Sequence, residues 1–313
     1  MPYVLRLFDP WRNPMCTCPP KYSLSPYTGC GHMCRYCYIT SYIRDGFKPR
    51  VKENFISKLL IDLRKIDRSI PISISNSSDP YTPQEYGLKI TRETLRILAS
   101  RGFKVIVLTK SDMVVRDIDI LRRGMFTVSM TVTTIDDRIA SVLEPYAPPP
   151  LSRIKALEML TSMGIPCSAR IDPIIPGVND DPRSLVKLIS RLAEIGVRHI
   201  ASSTYKAKPD NFRRMIEALP EKSTLLRRLY YDEGYIIHGV RYLPSKLRLD
   251  YMRMVKEIVE SYGMTFSSCR EGFRELQSSP TCDGTHLIPS ENPSRSRISL
   301  DDYDVDGIGY VSP

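Results

Sequence analysis

The chain has 313 residues, a length that suggests one large domain or about two ordinary ones. Its hydrophobic fraction of 42% and charged fraction of 26% are ordinary for a soluble globular protein, and no apolar stretch is long enough for a membrane span. The net charge of +10 favours a polyanionic partner such as nucleic acid, although a solvated basic surface would give the same value. The N-terminal residues lack a signal-peptide pattern, so we expect a cytoplasmic protein with no membrane partner.

Two periodicities alternate between residue 50 and about residue 205. Apolar residues recur at helical spacing twice, at Ile56, Leu59, Leu60 and Leu63 and again at Leu185, Leu188, Ile189 and Leu192. Strand-like runs occupy residues 72–75, 104–109, 126–133, 166–171 and 197–204. Strands that alternate with helices predict βα units and a parallel sheet. With a further strand just before Cys30, the count is about six βα repeats.

Two of the predicted strands carry rows of polar residues. One row is Thr127, Ser129, Thr131 and Thr133, which alternate with apolar residues, and the other is Ser73, Ser75 and Ser77. A parallel strand buried on both faces should be almost entirely apolar, and the filled interior of a closed barrel also favours branched apolar side chains. The rows therefore favour an open barrel whose lumen holds a polar ligand. A partly solvated sheet face is the alternative.

The pattern divides the chain into three regions. Residues 1–205 are predicted to form the barrel together with a cysteine-containing N-terminal segment. Residues 206–290 have mostly helical patterns and are predicted to form a C-terminal extension that packs on the barrel. Residues 291–313 are rich in Ser, Pro, Asp and Asn, which predicts a loop or disordered tail. The expected fold class is therefore α/β with a mostly helical C-terminal extension.

Three of the eight cysteines form a compact motif, Cys30, Cys34 and Cys37. In a reducing compartment such cysteines are more often metal ligands or catalytic groups than disulfides. Their Cys-x3-Cys-x2-Cys spacing differs from the Cys-x2-Cys pairs of zinc ribbons, although structural zinc is the alternative. Three thiolates on one loop can hold three irons of a [4Fe–4S] cluster and leave the fourth iron open to chelate a substrate. Gly29 and Gly31 would let the loop curl around the cluster.

The triad, with the aromatic Tyr36 just before its last cysteine, resembles the motif of the radical SAM superfamily. The resemblance implies a partial (β/α)6 TIM-type barrel with the cluster loop after the first strand. It also implies that the open iron binds S-adenosylmethionine (SAM), whose reductive cleavage gives a 5′-deoxyadenosyl radical that abstracts hydrogen from a substrate. A flavodoxin- or ferredoxin-type protein is the implied electron donor.

Longer stretches, across roughly residues 10–290, resemble the branch around spore photoproduct lyase, also described as DNA repair photolyase-like. They are the runs 18–30, 77–85, 143–145 and 173–180. Spore photoproduct lyase carries a cysteine shortly before a Ser-Asp pair after the second strand, and this thiol returns a hydrogen atom to the product radical. Here residues 75–79 read Ser-Asn-Ser-Ser-Asp, without a cysteine, so repair of spore photoproduct by that route is not expected.

The same resemblance implies SAM contacts position by position. Tyr36 matches the aromatic residue whose surroundings contact adenine. Ser77, Ser78 and Asp79 take the place of the segment that accepts the SAM amino group. For these residues, and for those on the later strands, the alternative is a solvated or sheet-capping polar group.

On the later strands, Ser129 and Thr131 lie where the family uses polar side chains for ribose and carboxylate, and Arg170 could pair with the carboxylate. Cys167 is out of phase with Arg170 and is expected to face the helices as a small buried apolar residue. No catalytic residue is assigned, and Tyr36 and Tyr81 are candidates for quenching a radical.

Four further cysteines lie near the two ends of the folded region. They are predicted to bind zinc tetrahedrally or an auxiliary iron–sulfur cluster, because barrel folds often bring their terminal segments together at one rim. His286 is a substitute ligand, and unlinked thiols or a disulfide are the alternatives. The four are Cys16, Cys18, Cys269 and Cys282.

Three functions stay open on the sequence alone. The first is a radical SAM enzyme that acts on nucleic acid. The second is the same chemistry on a protein side chain or a metabolite, and the third is a non-catalytic iron–sulfur or zinc module that binds a partner. Release of 5′-deoxyadenosine from SAM separates the first two functions from the third.

Overall fold

The computed structural model describes residues 2–8 and 14–291, so most of the predicted tail 291–313 lies outside the described residues. The strands, numbered along the chain, are β1 (Leu5–Leu7), β2 (Tyr22–Leu24), β3 (Tyr27–Thr28), β4 (Arg50–Val51), β5 (Ile72–Ile74), β6 (Val105–Thr109), β7 (Phe126–Thr131), β8 (Cys167–Ile174), β9 (His199–Thr204), β10 (Tyr235–Ile237), β11 (Val240–Tyr242) and β12 (Thr265–Ser268).

The α-helices are α1 (Phe55–Asp62), α2 (Glu85–Leu88), α3 (Ile90–Ser100), α4 (Ile118–Leu121), α5 (Asp137–Leu143), α6 (Pro150–Ser162), α7 (Pro182–Glu194), α8 (Pro209–Ala218), α9 (Ser223–Arg227) and α10 (Ser245–Ser261). None of the helices within residues 2–8 and 14–291 is long and apolar enough to cross a membrane.

Eight strands form the central sheet, in the order β1-β2-β5-β6-β7-β8-β9-β12. From β2 to β12 every neighbouring pair is parallel, and β1 adds an antiparallel edge. In the described part of the chain no pairing joins β1 to β12, so the barrel is open. The prediction of an α/β partial barrel is confirmed, and the five predicted strand runs coincide with β5 to β9. The six predicted βα repeats correspond to β2 and β5 to β9, and β12 continues the sheet beside β9 as a seventh parallel strand.

The two faces of the strands differ in chemistry, as the polar rows indicated. Val128 and Met130 point into the apolar core, where they pack with residues of the surrounding helices. Ser73, Thr127 and Ser129 have no exposed surface at all. The polar rows are therefore buried inside the open barrel, except for Ser77, which is half-buried, and this favours the barrel interior over a partly solvated sheet face.

The residues beyond 205 belong to the same packing unit as the barrel. Helix α10 places Met252, Val255 and Val259, each 0% exposed, in the core of the sheet, and Phe266 of β12 joins them. The hairpin β10–β11 stands apart from the central sheet as a two-stranded unit. The extension is mostly helical, as predicted, but it also supplies an integral strand of the barrel.

Candidate active site

A cavity of about 280 Å³ opens at the carboxyl ends of the parallel strands. Its walls include the first residues after several strands, Ser75 after β5, Lys110 after β6 and Cys269 after β12, together with Thr131 and Asp172 from the ends of β7 and β8. The carboxyl ends of parallel strands are where α/β folds bind ligands, because the loops there converge on one face.

Cys30, Cys34 and Cys37 all line this cavity, on a loop that follows the first parallel strand, β2. The Cys30 amide donates to the Gly46 carbonyl at 2.8 Å, and the Arg35 amide donates to the Leu143 carbonyl at 2.8 Å. Burial raises the pKa of the Cys30 thiol to about 12 and raises those of Cys34 and Cys37 as well. The three thiols thus share one loop, on which Cys34 is buried and Cys30 and Cys37 are half-buried, and backbone bonds at Cys30 and Arg35 hold it in place.

Two glycines are required for the path of this loop. Gly29 has a φ of +84°, and a Cβ at this position would lie 2.7 Å from the Lys48 carbonyl oxygen. A Cβ on Gly31 would lie 2.9 Å from Cδ of Pro83. The curled loop expected from the sequence therefore exists, and close backbone packing explains it.

The extension holds the same loop from outside the barrel. The Asn211 side chain, on α8, donates to the Tyr36 carbonyl at 2.9 Å, and Arg214 donates to the Cys37 carbonyl at 2.6 Å. Positions of the thiols therefore depend on α8, which lies beyond the predicted boundary at residue 205.

A buried charge network fixes Tyr36 on the cavity wall. The Tyr36 hydroxyl donates to Glu144, which also accepts from the Thr133 hydroxyl at 2.6 Å and pairs with Arg153 at 2.5 Å. Burial alone would raise the pKa of Glu144, but the charges of Arg153 and Lys110 and the hydrogen bonds from Thr133 and Tyr36 together outweigh it, so the net pKa lies below its ordinary value. Lys110 lies 5.5 Å from the Tyr36 ring centroid. An aromatic face beside a cation thus borders the cavity next to the thiols.

The segment 77–79 also reaches the cavity, but its side chains already have partners. Asp79 accepts hydrogen bonds from the Thr109 hydroxyl and the Lys110 amide, each at 2.7 Å. Ser78 donates to the Tyr27 carbonyl at 2.9 Å. These two residues organise the loops after β5 and β6, whereas Ser77 is half-buried at the cavity edge.

Of the predicted residues on the later strands, Thr131 and Arg170 line the cavity. Arg170 is tied to Asp172 at 2.6 Å, so one side of its guanidinium is already used. Ser129 does not line the cavity, because it lies two residues, or about 6.6 Å, deeper along β7 than Thr131. Of the two predicted SAM contacts on β7, the cavity wall contains only Thr131, and both contacts remain predictions.

Tyr81, a candidate for quenching a radical, and Cys167 are both buried. Tyr81 is 1% exposed, lies outside the cavity lining, and donates to Asp117 at 3.1 Å. Its ring is thus walled off from any ligand of the cavity. Cys167 is 0% exposed in the helix-facing core, as expected from its phase.

Two polar atoms of the wall fit a polar ligand and were not singled out from the sequence as ligand contacts. Ser75 Oγ and His32 Nδ1 are buried and have no hydrogen-bond partner among residues 2–8 and 14–291, although His32 Nδ1 lies 3.5 Å from an Asp79 carboxylate oxygen. Both residues line the cavity. Ser75 belonged to a polar row, but nothing in the sequence indicated that His32 faces the same space. Buried polar atoms without a hydrogen-bond partner are rare in folded proteins. Their presence in the wall fits a cavity that binds a polar cofactor.

The second set of cysteines lines this cavity too. Cys16, Cys18, Cys269 and Cys282 come from segments far apart in the chain, and the Cys18 and Cys282 sulfurs lie 3.6 Å apart. In the described ranges no three His, Cys, Asp or Glu side chains are already closed around a metal-sized position, and this holds for both cysteine sets. His286 does not line the cavity. Its Nδ1 lies 2.8 Å from the Thr281 hydroxyl oxygen.

A second cavity, of about 320 Å³, adjoins the first and shares Tyr38, Tyr42, Lys206 and Arg270 with it. Its remaining wall is formed by Lys208 and by the tip of the β10–β11 hairpin. Within the described residues no acidic side chain lines it. Lys206 is neutralised by Glu271 at 2.7 Å, and Arg270 lies over the Tyr38 ring at 5.8 Å.

An open α/β barrel with three thiols on the loop after its first parallel strand, facing a polar cavity, defines a cofactor-binding class of barrel enzymes. Residues 24–189, more than half of the chain, match the family model described as Radical SAM superfamily, and the chain belongs to that superfamily. Membership makes the protein a radical SAM enzyme and implies a [4Fe–4S] cluster and SAM as its cofactors.

The chain is similar to relatives of several kinds. An uncharacterized protein of Methanocaldococcus jannaschii is 35% identical over 167 residues, which are 51% of this chain and 62% of that protein. The Radical SAM Nalpha-GlyT isomerase of Pseudomonas phage M6 is 25% identical over 79% of this chain and 53% of the phage protein. The chain thus spans between half and two thirds of the length of these relatives.

Among solved structures, spore photoproduct lyase complexed with dinucleoside spore photoproduct has a similar fold. The TM-score is 0.62 at 14% sequence identity, over 77% of this chain and 74% of the other. This likeness confirms the architecture that the sequence pattern predicted.

Proposed function

We propose that the protein carries out radical SAM chemistry on a nucleic acid, with the cluster on Cys30, Cys34 and Cys37. When bound, the cluster and SAM supply a 5′-deoxyadenosyl radical that takes a hydrogen atom from the substrate. In this proposal Tyr36 borders the adenine, Ser77 and Ser75 face polar groups of SAM, and Arg170 and Thr131 position its carboxylate and ribose. Their shared position at the strand ends supports the assignment.

The observation that carries the choice of substrate is the second cavity. It joins the first cavity directly, so a substrate held there would present one group toward the SAM site. Tyr38 and Tyr42 offer aromatic faces on which bases stack, and Lys208 and Arg270 offer positive charge to phosphates. The net charge of +10 acts in the same direction over longer range.

The structure of one similar protein is compatible with this choice, and the sequence sets a limit on it. Spore photoproduct lyase was solved with a dinucleoside bound, and its fold is similar over most of this chain. The hydrogen-donating cysteine of that enzyme would be expected near position 77. Residues 75–79 of this chain contain no cysteine. The proposed reaction is therefore hydrogen abstraction from a nucleic acid with a product other than that of spore photoproduct repair.

We also propose that an acidic flavodoxin or ferredoxin reduces the cluster in the cytoplasm. The loop 44–50 lies directly behind the cluster loop, because the Gly46 carbonyl accepts the Cys30 amide. Arg44 and Lys48 on this loop have side chains that are 97% and 84% exposed, and both lie 3.9 Å from Asp45. With Arg50, the loop carries three cations and one anion. A cationic surface this close to the cluster suits an acidic electron donor.

The chemistry is tested by anaerobic reconstitution followed by addition of dithionite and SAM. Release of 5′-deoxyadenosine is expected from the wild-type protein and not from the Cys30→Ala/Cys34→Ala/Cys37→Ala variant. The Cys167→Ala variant is the matched control, since this thiol lies outside the cavity, and it should keep the activity.

The substrate class is tested by binding of short single-stranded DNA and RNA at increasing salt. We expect binding that weakens as salt rises, and about 10-fold weaker binding in the Lys208→Ala/Tyr42→Ala variant, from the loss of one phosphate contact and one stacked base. Lys155→Ala, which removes an exposed lysine from α6, is the control and should bind like the wild type. Equal affinities of the two variants, or binding indifferent to salt, would contradict the nucleic-acid proposal and favour a protein or metabolite substrate.

A further inference from the structure

Four cysteines outside the cluster motif converge on one wall of the first cavity. Cys16 and Cys18 precede β2, Cys269 directly follows β12, and Cys282 lies beyond it. The sheet order puts β2 next to one edge and β12 at the other. The four thiols therefore meet across the opening of the barrel, which no strand pairing closes in the described part of the chain.

Contacts other than sulfur hold these segments together. The side chain of Gln277 donates to the Thr17 hydroxyl at 2.6 Å, and Thr17 lies between Cys16 and Cys18. Lys21, only 2% exposed, forms a buried ion pair with Asp283 beside Cys282. Two polar contacts thus bind the N-terminal cysteine segment to the C-terminal one, so the approach of the cysteines does not rest on a single side chain.

The spacing of the sulfurs distinguishes a shared metal ion from a disulfide. The Cys18 and Cys282 sulfurs are 3.6 Å apart, and Cys16 hydrogen-bonds to Cys18. Two thiolates on one tetrahedral metal ion with metal–sulfur bonds of about 2.3 Å lie about 3.8 Å apart. A disulfide would need about 2.05 Å, and the described structure keeps all these cysteines as free thiols. The observed distance matches two ligands of a single ion.

Two cations lie beside the sulfurs. Four thiolates around Zn²⁺ leave a net charge of about −2. Lys21 Nζ lies 3.7 Å from the Cys18 sulfur, and Arg170 hydrogen-bonds to Cys269. Lys21 is buried and Arg170 is 12% exposed, and each also pairs with a carboxylate, Asp283 and Asp172 respectively, so the two cations offset only part of the negative charge.

We propose that Cys16, Cys18, Cys269 and Cys282 bind one structural zinc ion that clasps the open edge of the barrel. The ion holds the N-terminal segment to the segment after β12 and completes the cavity wall. Binding requires the sulfurs to draw inward around the metal and lose their protons, and no redox step is involved.

The test uses the full-length Cys30→Ala/Cys34→Ala/Cys37→Ala variant, which lacks the motif cysteines, purified with zinc and analysed for metals. We expect about one zinc per chain and an X-ray absorption spectrum with four sulfur neighbours at about 2.3 Å. Replacing the other four cysteines by alanine as well should reduce the zinc to background, whereas adding Cys167→Ala should not change it.

A second measurement guards against loss of folding in the variant that lacks seven cysteines. Removal of zinc from the first variant with a chelator should lower its Tm, and added zinc should restore it. Absence of bound zinc, iron at the four cysteines, or a Cys18–Cys282 disulfide found by mass spectrometry would each overturn the proposal.

Discussion

Asp62 shows how one buried carboxylate anchors the start of the chain. Its oxygens accept the backbone amides of Tyr3, Val4 and Leu5 at 2.7–3.0 Å, which fixes β1 against α1. Burial acts to raise the pKa of Asp62, but the three amide donors lower it more, and the net pKa lies below the ordinary 3.8. The ionised form is therefore the one that stabilises the fold.

We expect Asp62→Asn to lower the free energy of unfolding by about 1–3 kcal/mol at pH 7. The NH2 group of asparagine cannot accept a hydrogen bond and would face the backbone N–H groups that now donate to the carboxylate. The contribution of the carboxylate is fully present above the pKa of the unfolded chain, about 3.8, and is lost as the pH falls through the lower folded value. The gap between wild type and variant should thus shrink below pH 4. Urea denaturation from pH 7 to pH 3 measures it.

Asp250→Asn, at an exposed position on α10, is the control for this experiment. It should match the wild type across the whole pH range. A constant difference between wild type and Asp62→Asn at every pH would show that the carboxylate charge does not contribute, and that only the shape of the side chain matters.

At this scale the sequence predicts the cysteine motif, because its spacing alone carries the chemistry. The sequence does not show which of the polar residues on the strands reach the cavity. Thr131 and Ser129 are both polar, alternate residues of one strand, and only the depth of the cavity separates them. Tyr81 likewise became a core residue through its contact with Asp117, which lies 36 positions away.

Among the elements, the loop 44–50 gives the sharpest test of the electron-donor proposal. Arg44→Glu/Lys48→Glu should slow reduction of the cluster by a flavodoxin about 10-fold at low salt, since it reverses two exposed charges next to the cluster loop. Reduction by dithionite should not change, because this small reductant needs no docking surface. Stopped-flow absorbance of the cluster measures both rates.

Lys155→Glu/Lys187→Glu makes the same change in net charge on the exposed faces of α6 and α7. A similar slowing in this control would mean that total charge, and not the loop, attracts the donor. Convergence of the rates at high salt is expected in both variants.

Most strands that the sequence predicts differ in length and apolar content from those that it misses, and β5, with three residues, is the exception. The strands β6 to β9 have five to eight residues with clear apolar content, and their runs were recognised. β12 reads Thr-Phe-Ser-Ser, with one apolar residue, and β1 has three residues. Such short or polar strands are stabilised by pairing with a neighbour rather than by their own pattern, so only the tertiary structure shows them.

Across the whole molecule, the barrel and its extension share one core, and a chain cut at residue 205 should not fold. It would lose Met252, Val255, Val259 and Phe266, each 0% exposed, together with the partner strand of β9. Burial of four such side chains contributes about 6–12 kcal/mol. That is comparable to the whole stability of a typical domain, about 5–15 kcal/mol.

The matched control is a chain that ends at residue 291 and keeps every element from β1 to β12. We expect this control to unfold in one cooperative transition when followed by circular dichroism in urea, and the chain 1–205 to show none. Cooperative unfolding of 1–205 would mean that the barrel is a domain by itself. In that case the strand β12 and the helix that clamps the cluster loop would be additions to a finished fold, and the loop of Cys30, Cys34 and Cys37 would keep its path without Asn211 and Arg214.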